Sequence, residues 1–588
     1  MTGIELLVGG WFVSPVIKSV VQKAQEYLSA NYELQKDTQV MVENLTRTLV
    51  LCQATVEEAE KRLINKSNLT TWLKMLKEAV YDADDVLDDI EAKSIKDKIK
   101  GKQKVRKFAS SSFSSLKNVF IPDDNHQRLK KVLDKLTEIS AQIPNFLHLV
   151  NMNENYGSSN NELRDQRETI SLPSEEDVGL CGRQEELNLI LEMILNLELA
   201  SKKKGQNYPG LFVLPIVGMG GVGKTALAQA IYNNPEVQRT FETKAEPLLE
   251  KTFASKAWIS VSDHFNVVLL MLKLIQSLGG NLRLDVLALE DVSRNLSSII
   301  SGVRFLVVLD DLFEKIECQW DAIHTTLSHG APGSVVLITT QNQAFANRVA
   351  TFGHITLNPL KPEIFWKLFK HFAFGDVVIA KDKKNSLKLI GKQIACKLHG
   401  LPLAAKIIGK LLRRNIDEHE WRRISRSEWW EIPEGKSQIL PSIGVGYQHL
   451  DLCLRQCFAF CSVFPRNSLI EKDRLVQMWI AQNFIPFDIN GARPEDVGRQ
   501  WFHQLVELSF FQAAGDYKGY VIPNLMHDLA VIVSSDECFY LTDQSQKIPQ
   551  SVRHLAVDTK NIEVVKGIHK HKNIRSFFYF GLCHVDET

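Results

Sequence analysis

Residues 211–225 read LFVLPIVGMGGVGKT, a run that closes with the pattern Gly-x-x-x-x-Gly-Lys-Thr from Gly218 to Thr225. Apolar residues precede the glycines and the helix-forming segment Ala226–Tyr232 follows them, so the motif lies between a predicted strand and a predicted helix. This is the context of a P-loop, in which glycine-rich backbone and a helix N-terminus turn their N–H groups toward phosphate. The stretch predicts a purine-nucleotide-binding α/β domain.

Each part of the P-loop has an expected task. Lys224 would neutralise the β- and γ-phosphates, and the Thr225 hydroxyl would bind Mg²⁺. The remaining predicted nucleotide contacts come from the loop and the first residue after the Lys-Thr pair, namely Gly218, Gly220, Gly221, Val222, Gly223 and Ala226.

A second motif, RFLVVLDD at 304–311, is a buried-strand pattern that ends in two acids. Such a strand delivers a carboxylate to the nucleotide's metal ion, so Asp310 is the predicted Mg²⁺ ligand. Two interpretations of Asp311 stay open. It could orient or deprotonate the attacking water as a catalytic residue, or it could cap a helix that runs from Leu312 onward.

Short apolar runs alternate with helical segments around these motifs, which predicts a parallel, doubly wound sheet. The predicted strands are 211–217, 257–261, 305–309 and 335–339. Residues 240–245 are echoed at 252–257, which indicates either a short tandem duplication or an error in the gene prediction.

The first 150 residues have a different pattern. Residues 15–95 and 129–143 show apolar helical periodicity, which predicts a four-helix bundle. The basic, serine-rich segment 96–112 between them is interpreted as a solvated loop in preference to a patch for anionic membranes. The polar stretch 151–177 has no periodicity and is predicted to be a linker.

Composition excludes some classes of function. The 588 residues carry a net charge of +1, which gives no bulk field to attract nucleic acid. The N-terminus lacks a signal peptide or membrane span, and nine cysteines suit a reducing, cytoplasmic compartment. Cys453, Cys457 and Cys461 recur four apart, too far along a helix to share one zinc ion, so a buried helix face is expected.

Further motifs follow the P-loop and the paired acids in order: GLPLA at 400–404 and MHD at 526–528, with WLKMLKEAVYDADDVLD at 72–88 ahead of them. In this arrangement the chain resembles the plant NB-ARC immune receptors of the coiled-coil class. Other matching segments are AWISVS at 257–262, GSVVLITT at 333–340, QCFAFCSVFP at 456–465 and MWIA at 478–481.

The resemblance implies a multidomain α and α/β fold. The implied order is an N-terminal helical bundle (1–150), a linker (151–177), a P-loop domain (178–345), a small helical domain (346–430), a winged helix (431–545) and the start of a leucine-rich-repeat-like region (546–588).

The resemblance also implies further site residues. Pro402 would border the nucleotide base, Cys181 and Arg183 would contact the nucleotide from the N-terminal edge of its domain, and His527 would reach the β-phosphate of ADP. ADP would hold a resting form, and ATP with Mg²⁺ an active one that self-associates or pairs with another receptor to signal cell death. A host or pathogen protein would bind the N-terminal bundle, with membrane contact expected only after activation.

Some residues depart from the family pattern. Gln341 stands where the family has an arginine that senses the γ-phosphate, and Phe313 replaces a tryptophan. A neutral amide cannot supply the arginine's charge, so weakened ATP sensing is expected. Two alternative functions stay open: a P-loop ATPase whose turnover is its task, and a truncated adaptor or decoy that acts through its bundle.

Overall fold

The structure is a computed structural model that describes residues 13–29, 36–62, 67–107, 124–143, 180–195, 210–241, 256–261, 267–280, 288–312, 319–375, 377, 379, 381–427, 430, 440–485, 492–514, 519–541, 546–558, 568 and 571–580. Outside these ranges lie the predicted linker, the serines at 110–112, Phe313 and most of the repeated segment between 240 and 257.

The N-terminal residues form a helical bundle, as predicted. Its helices are Val13–Ser29 (α1), Lys36–Arg62 (α2), Ser67–Lys107 (α3) and Asp124–Ser140 (α4). Their apolar faces share one core that includes Leu45, Leu76 and Leu136. Trp72 is buried in this core, and its Nε1 donates to the carbonyl of Ile139 at 3.0 Å, so the indole keeps a hydrogen bond.

The basic segment at 96–107 is helical, which corrects the prediction of a loop there. It continues α3 without a break. Lysine, glutamine and arginine are good helix formers, and the segment contains no proline that would end the helix. Charge density alone was therefore a poor indicator of loop structure.

A parallel sheet forms the centre of the nucleotide-binding domain. Its strands are Leu211–Gly218 (β1), Lys256–Ser260 (β2), Leu306–Leu312 (β3), Ser334–Thr340 (β4) and Ile355–Leu357 (β5), in the order β2-β3-β4-β1-β5. The first four match the predicted strands. The three-residue β5 is too short to show a pattern, and its pairing with β1 extends the sheet past the predicted boundary at 345.

Both faces of this sheet are buried, since alternate residues of each strand enter different cores. Phe212 and Leu214 join one core, whereas Leu211 and Val213 join the other. The first face is covered by Gln184–Leu195 (α5), Lys224–Tyr232 (α6) and Pro235–Phe241 (α7). The second is covered by Val267–Ser277 (α8), Leu289–Ile300 (α9), Trp320–Leu327 (α10) and Gln343–Val349 (α11).

The doubly wound arrangement is thus confirmed, and it fixes where a ligand could bind. The strand order reverses at β1, which lies between β4 and β5. Open parallel sheets bind ligands at the carboxyl ends of their strands beside such a reversal. The loop after β1 is the P-loop.

Two helical domains continue the chain. The first contains Pro362–Phe374 (α12), Lys381–Cys396 (α13), Pro402–Arg414 (α14) and Glu418–Ser425 (α15). The second, a winged helix, contains Leu440–Gln448 (α16), Leu452–Phe460 (α17), Lys472–Ala481 (α18), Pro494–Glu507 (α19) and Asn524–Ser534 (α20). The antiparallel pair Gln512–Ala513 (β6) and Tyr520–Val521 (β7) is its wing. Cys457 and Cys461 are buried in its core.

The C-terminal residues form a separate parallel sheet of Cys538–Leu541 (β8), His554–Val557 (β9) and Ser576–Tyr579 (β10), in the order β8-β9-β10. Because β8 pairs with β9, the predicted boundary at 545 divides this sheet. Among the described residues, no helix is both long enough and apolar enough to cross a membrane.

Candidate nucleotide-binding site

The P-loop joins β1 to α6 and depends on its glycines. Gly223 has a φ of +105°, in the left-handed region that glycine enters without strain. A Cβ at Gly218 would lie 2.7 Å from the carbonyl oxygen of Leu357 in β5, so this position has no room for a side chain. The loop consequently lies close to β5, and the N-terminus of α6 faces the carboxyl edge of the sheet, where an anion is favoured.

Lys224 is the first residue of α6, and its side chain turns back over the loop. Its Nζ donates to the carbonyls of Gly218 at 2.8 Å and Met219 at 3.0 Å. Burial lowers the pKa of Lys224, while the neighbouring carboxylates of Asp311 and Asp310 oppose this shift. The structure thus places a buried cation at the loop, where a phosphate would replace carbonyls as its partner.

Asp310 lies at the carboxyl end of β3 and is brought to the P-loop by two threonines. Thr225 Oγ1 lies 3.0 and 3.2 Å from the two carboxylate oxygens, and Thr339 Oγ1 donates to Oδ1 at 2.6 Å. Burial raises the pKa of Asp310 to about 6, the hydrogen bond from Thr339 opposes this, and the charge of Asp311 adds to it. A nearby cation would restore the charged form of Asp310.

The predicted metal ligands are therefore adjacent. A hydroxyl and a carboxylate are oxygen ligands of the kind that Mg²⁺ takes, with waters and phosphates completing its shell. The Thr225–Asp310 pair fits such an ion, which when bound would neutralise phosphate charge.

Asp311 has an unusual backbone conformation. Its φ is +59°, and the pairing of β3 with β4 shifts register between Leu309 and Leu312. The Asp311 N–H donates to Thr339 Oγ1 at 2.8 Å, and its Oδ2 accepts a hydrogen bond from Asn524 Nδ2 in the winged helix. Leu312 is still a strand residue, so no helix begins there, and the alternative in which Asp311 caps such a helix is wrong.

Arg183 connects the N-terminal edge of the domain to the P-loop. Its Nη2 donates to the carbonyl of Val222 at 3.1 Å and to that of Asn358 at 2.6 Å, and its Nη1 pairs with Glu186. Cys181 is half-buried against the core of the same face. The structure thus brings the predicted segment 181–183 next to the loop, where Arg183 donates to a backbone carbonyl of the P-loop.

The small helical domain reaches the same loop. Pro402 begins α14, and the N–H of the next residue, Leu403, donates to the carbonyl of Gly221 at 3.2 Å. This backbone hydrogen bond, which the sequence did not indicate, seats the start of α14 on the P-loop and places Pro402 beside it.

The winged helix contacts the site through the start of α20. Leu525 packs on Gly220, where an added Cβ would lie 3.0 Å from Leu525 Cδ2. His527 is buried, and its Nε2 donates to the carbonyl oxygen of Phe464 at 2.8 Å. Asp528 pairs with Arg466. The helix that carries His527 thus lies beside the site. Its contacts come from Leu525 to the P-loop and from Asn524 to β3.

Three contributors were missed at the sequence level. Thr339 lies within a predicted strand and is buried in the structure. A polar residue in an apolar run was the available signal in the sequence. Asn524 and Leu525 carry no such signal, since only the packing of α20 shows what they face. Gln341, which the sequence analysis did single out, is exposed and directly follows β4.

A second region joins the bundle to the C-terminal sheet. On α3, Asp84, Asp85 and Asp88 form an acidic face. Arg575 contacts all three, at 2.5, 2.6 and 3.1 Å respectively, and Arg553 contacts Asp85 at 2.7 Å. Burial tends to raise the pKa of Asp85, but the two guanidinium groups hold it below its usual value. These charges hold the bundle against the residues just before β9 and β10.

A buried polar group lies beside this acidic face. Glu537, just before β8, pairs with Lys77 and accepts a hydrogen bond from Tyr81 Oη at 2.8 Å. The Arg553 guanidinium lies over the Tyr81 ring, 4.1 Å from its centroid. Burial tends to raise the pKa of Glu537, but Lys77 and Tyr81 outweigh it and the pKa is lowered. The carboxylate is therefore charged at neutral pH.

We expect this region to lose stability in mild acid through His554. Burial lowers the pKa of His554 to about 4; Glu537 opposes this, while Arg553, Arg575 and Lys77 add to it. The unfolded chain takes up this proton near pH 6.5, so the free energy of unfolding falls as pH drops from about 6.5 to 4, by up to about 3 kcal/mol. Thermal melts of wild type and His554→Gln across this range test it; parallel curves would contradict it.

Comparison with known proteins gives consistent matches along the chain. Residues 16–118 match the Rx N-terminal domain, residues 197–378 the NB-ARC domain, and residues 463–530 the disease resistance protein winged helix domain. The bundle, the P-loop domain and the winged helix seen in the structure correspond to these matches in order.

Whole-chain relatives carry matching names. The putative disease resistance protein RGA1 of Solanum bulbocastanum is 31% identical over 88% of this chain and 49% of its own length. Disease resistance protein RGA2 of the same species is 32% identical over 82% and 46%. The putative disease resistance RPP13-like protein 1 of Arabidopsis thaliana is 28% identical over 91% and 48%. The chain spans about half the length of these relatives.

Proposed function

Because this chain belongs to the NB-ARC disease resistance proteins of the coiled-coil class, we propose that it is a nucleotide-dependent switch of plant innate immunity. ADP with the winged helix seated is the resting form, and ATP with Mg²⁺ gives the active one. The observation that carries this is the convergence of separate domains on one loop: Leu403 bonds Gly221 and Leu525 packs on Gly220. A ligand there touches each domain and can bias their arrangement.

The site residues have the following roles in this proposal. The P-loop and Lys224 hold the phosphates, Thr225 and Asp310 hold Mg²⁺, and Pro402 borders the base. Contacts at the N-terminal edge come from Cys181 and Arg183. His527 reaches the β-phosphate of ADP, and its hydrogen bond to Phe464 keeps it positioned on α20.

The active form would act through other proteins. We propose self-association or pairing with another receptor, with the N-terminal bundle as the surface for a host or pathogen protein. Ion pairs from Arg553 and Arg575 to the acidic face of α3 support the proposal that the bundle is held against the C-terminal sheet in the resting form. The resting protein is proposed to be cytoplasmic, with membrane contact only on activation.

Mass spectrometry of the nucleotide that co-purifies with the protein tests the switch. We expect about one ADP per chain, retained through gel filtration. Protein that is folded by circular dichroism but contains no nucleotide, and that binds neither ADP nor ATP in calorimetry, would overturn the proposal.

The Asp528→Val variant is expected to release ADP up to about fivefold faster than wild type. It removes the partner of Arg466 near Phe464, whose carbonyl positions His527, and a partly exposed ion pair contributes at most about 1 kcal/mol. Release of a fluorescent ADP analogue measures this. The control is Asp473→Ala, which breaks the exposed pair with Arg499 at 2.9 Å in the same domain. Equal release rates in both variants would contradict the prediction.

Gln341→Arg is expected to raise the preference for ATP over ADP about tenfold. A guanidinium at the end of β4 would add a charge-assisted hydrogen bond to the γ-phosphate, which ADP lacks. The ratio of the two Kd values from calorimetry measures it. Gln343→Arg, which adds the same charge at an exposed position two residues on, is the matched control. An unchanged ratio in Gln341→Arg would show that Gln341 does not weaken ATP sensing.

A further inference from the structure

We propose that Asn524 is a positioning residue that restrains Asp311. While the winged helix is seated, the Asn524 amide holds the Asp311 carboxylate, so that the site retains ADP and does not turn over ATP. The inference rests on the proposed nucleotide switch and adds to it a direct link between domain opening and hydrolysis.

The backbone of Asp311 is held in place at its position in β3. With a φ of +59° it lies in the left-handed region, which residues other than glycine seldom adopt. The strand irregularity between Leu309 and Leu312 and the hydrogen bond from the Asp311 N–H to Thr339 hold it there. Thr339 also donates to Asp310, so one buried hydroxyl sets both acids. Asp311 thus has a fixed position beside the metal site.

The side chain of Asp311 is held from another domain. Its Oδ2 accepts from Asn524 Nδ2, and Asn524 is separated from it by 213 positions in sequence. Asn524 is the first residue of α20, and the next residue, Leu525, packs on Gly220 of the P-loop. The same turn of α20 therefore touches the loop that binds phosphate and the acid that would assist hydrolysis. Movement of α20 away from the loop would break both contacts together.

This hydrogen bond has a chemical consequence. In hydrolysis a water oxygen bonds to the γ-phosphorus, the bond from that phosphorus to the bridging oxygen breaks with its electron pair leaving on ADP, and a water proton passes to a carboxylate. A carboxylate oxygen that accepts from Asn524 has a lone pair already engaged and is held toward the winged helix. Asp311 becomes available when the winged helix leaves.

The contact also contributes to ADP retention. A hydrogen bond to a charged group stabilises the seated arrangement by an amount equivalent to about tenfold or more in an equilibrium constant. Since the same arrangement encloses the nucleotide, loss of this bond should speed ADP release by a similar factor. Loss of the amide should therefore raise two rates that a purely structural residue would not raise together.

The test measures release of a fluorescent ADP analogue and single-turnover hydrolysis of ATP with the full chain. Asn524→Ala is expected to raise both, ADP release by about tenfold. In an Asp311→Asn background, Asn524→Ala should have no further effect on hydrolysis. The double exchange Asn524→Asp with Asp311→Asn rebuilds the hydrogen bond with donor and acceptor reversed. The exchanged pair should restore slow ADP release, but it should not restore hydrolysis of ATP. This difference separates the retention of ADP from the assistance to hydrolysis.

Asn467→Gly is the matched control. It removes another winged-helix amide contact to the nucleotide domain, from Asn467 Nδ2 to the Val261 carbonyl at 3.3 Å, and glycine suits the φ of +57° there. Its effect on ADP release should be the same with aspartate or asparagine at position 311. Hydrolysis should rise less than in Asn524→Ala, because Asn467→Gly leaves the hydrogen bond between Asn524 and Asp311 in place.

Two failures are distinguishable. Folded wild-type protein that binds no ADP or ATP would contradict the proposed function, and this inference with it. Wild type that binds ADP, while Asn524→Ala releases ADP and hydrolyses ATP at wild-type rates, would overturn the role of Asn524 alone. So would an exchanged pair that releases ADP as fast as Asn524→Ala, and this pair decides the question if the alanine variant does not fold.

Discussion

Nucleotide affinity is expected to fall by about 100-fold or more when Lys224 is replaced by alanine. The Lys224 ammonium lies 2.8 Å from the Gly218 carbonyl and 3.0 Å from that of Met219, so a phosphate in the loop would lie within its reach. Charge-assisted hydrogen bonds to phosphate contribute about 1.5 to 3 kcal/mol each, and 1.4 kcal/mol corresponds to tenfold in Kd. Calorimetry with ADP and with ATP–Mg²⁺ measures the change.

The control for Lys224 is Lys273→Ala, because Lys273 is an exposed lysine of the same domain on α8. We expect unchanged affinity in that variant. Equal Kd values for wild type and Lys224→Ala would show that the loop is not the nucleotide site. Circular dichroism of each variant separates lost binding from lost folding.

Glu537→Ala is expected to destabilise the protein by about 3 to 5 kcal/mol. Glu537 is buried against Lys77 and Tyr81 of α3, and its removal takes away the carboxylate that pairs with the buried Lys77 ammonium. Removing one partner of a buried pair costs about this much, because the desolvated charge that remains is not compensated. Denaturant unfolding measures the loss, and limited proteolysis reports whether the bundle has separated from the C-terminal sheet.

Two variants frame this result. Asp536→Ala, one residue earlier, breaks an exposed pair with Lys74 at 3.3 Å and should cost at most about 1 kcal/mol. The double variant Lys77→Met with Glu537→Leu removes both charges and should be much less destabilising than Glu537→Ala alone. Equal losses for Asp536→Ala and Glu537→Ala would mean that burial does not set the strength of this contact.

Much of the site could be predicted because its chemistry is written in short stretches of sequence. The P-loop needs a residue that adopts a positive φ at position 223 and a residue without a side chain at position 218, and glycine in the sequence meets both needs. Two acids at the end of a buried strand predicted that Asp310 would serve the same Mg²⁺ ion as Thr225, and Thr225 Oγ1 lies 3.0 and 3.2 Å from the two carboxylate oxygens of Asp310.

Other features were predicted wrongly or not at all, for identifiable reasons. The basic end of α3 looked like a loop because its charges hid a good helix composition. β5 has three residues, too few for periodicity, yet it completes the sheet beside β1. Of the two alternatives for Asp311, the helix cap is wrong, because Asp311 lies in a strand irregularity and its N–H donates to Thr339 in the neighbouring strand.

The sequence by itself determined the order of the domains, the P-loop with the adjacent pair Thr225 and Asp310, and the family to which the chain belongs. These follow from patterns that span a few residues, where backbone geometry and side-chain chemistry act locally. The tertiary structure alone decided which residues meet across domains. Asn524 meets Asp311 across 213 positions and Arg553 meets Asp85 across 468. Such contacts depend on how packed domains are oriented, which no local pattern encodes.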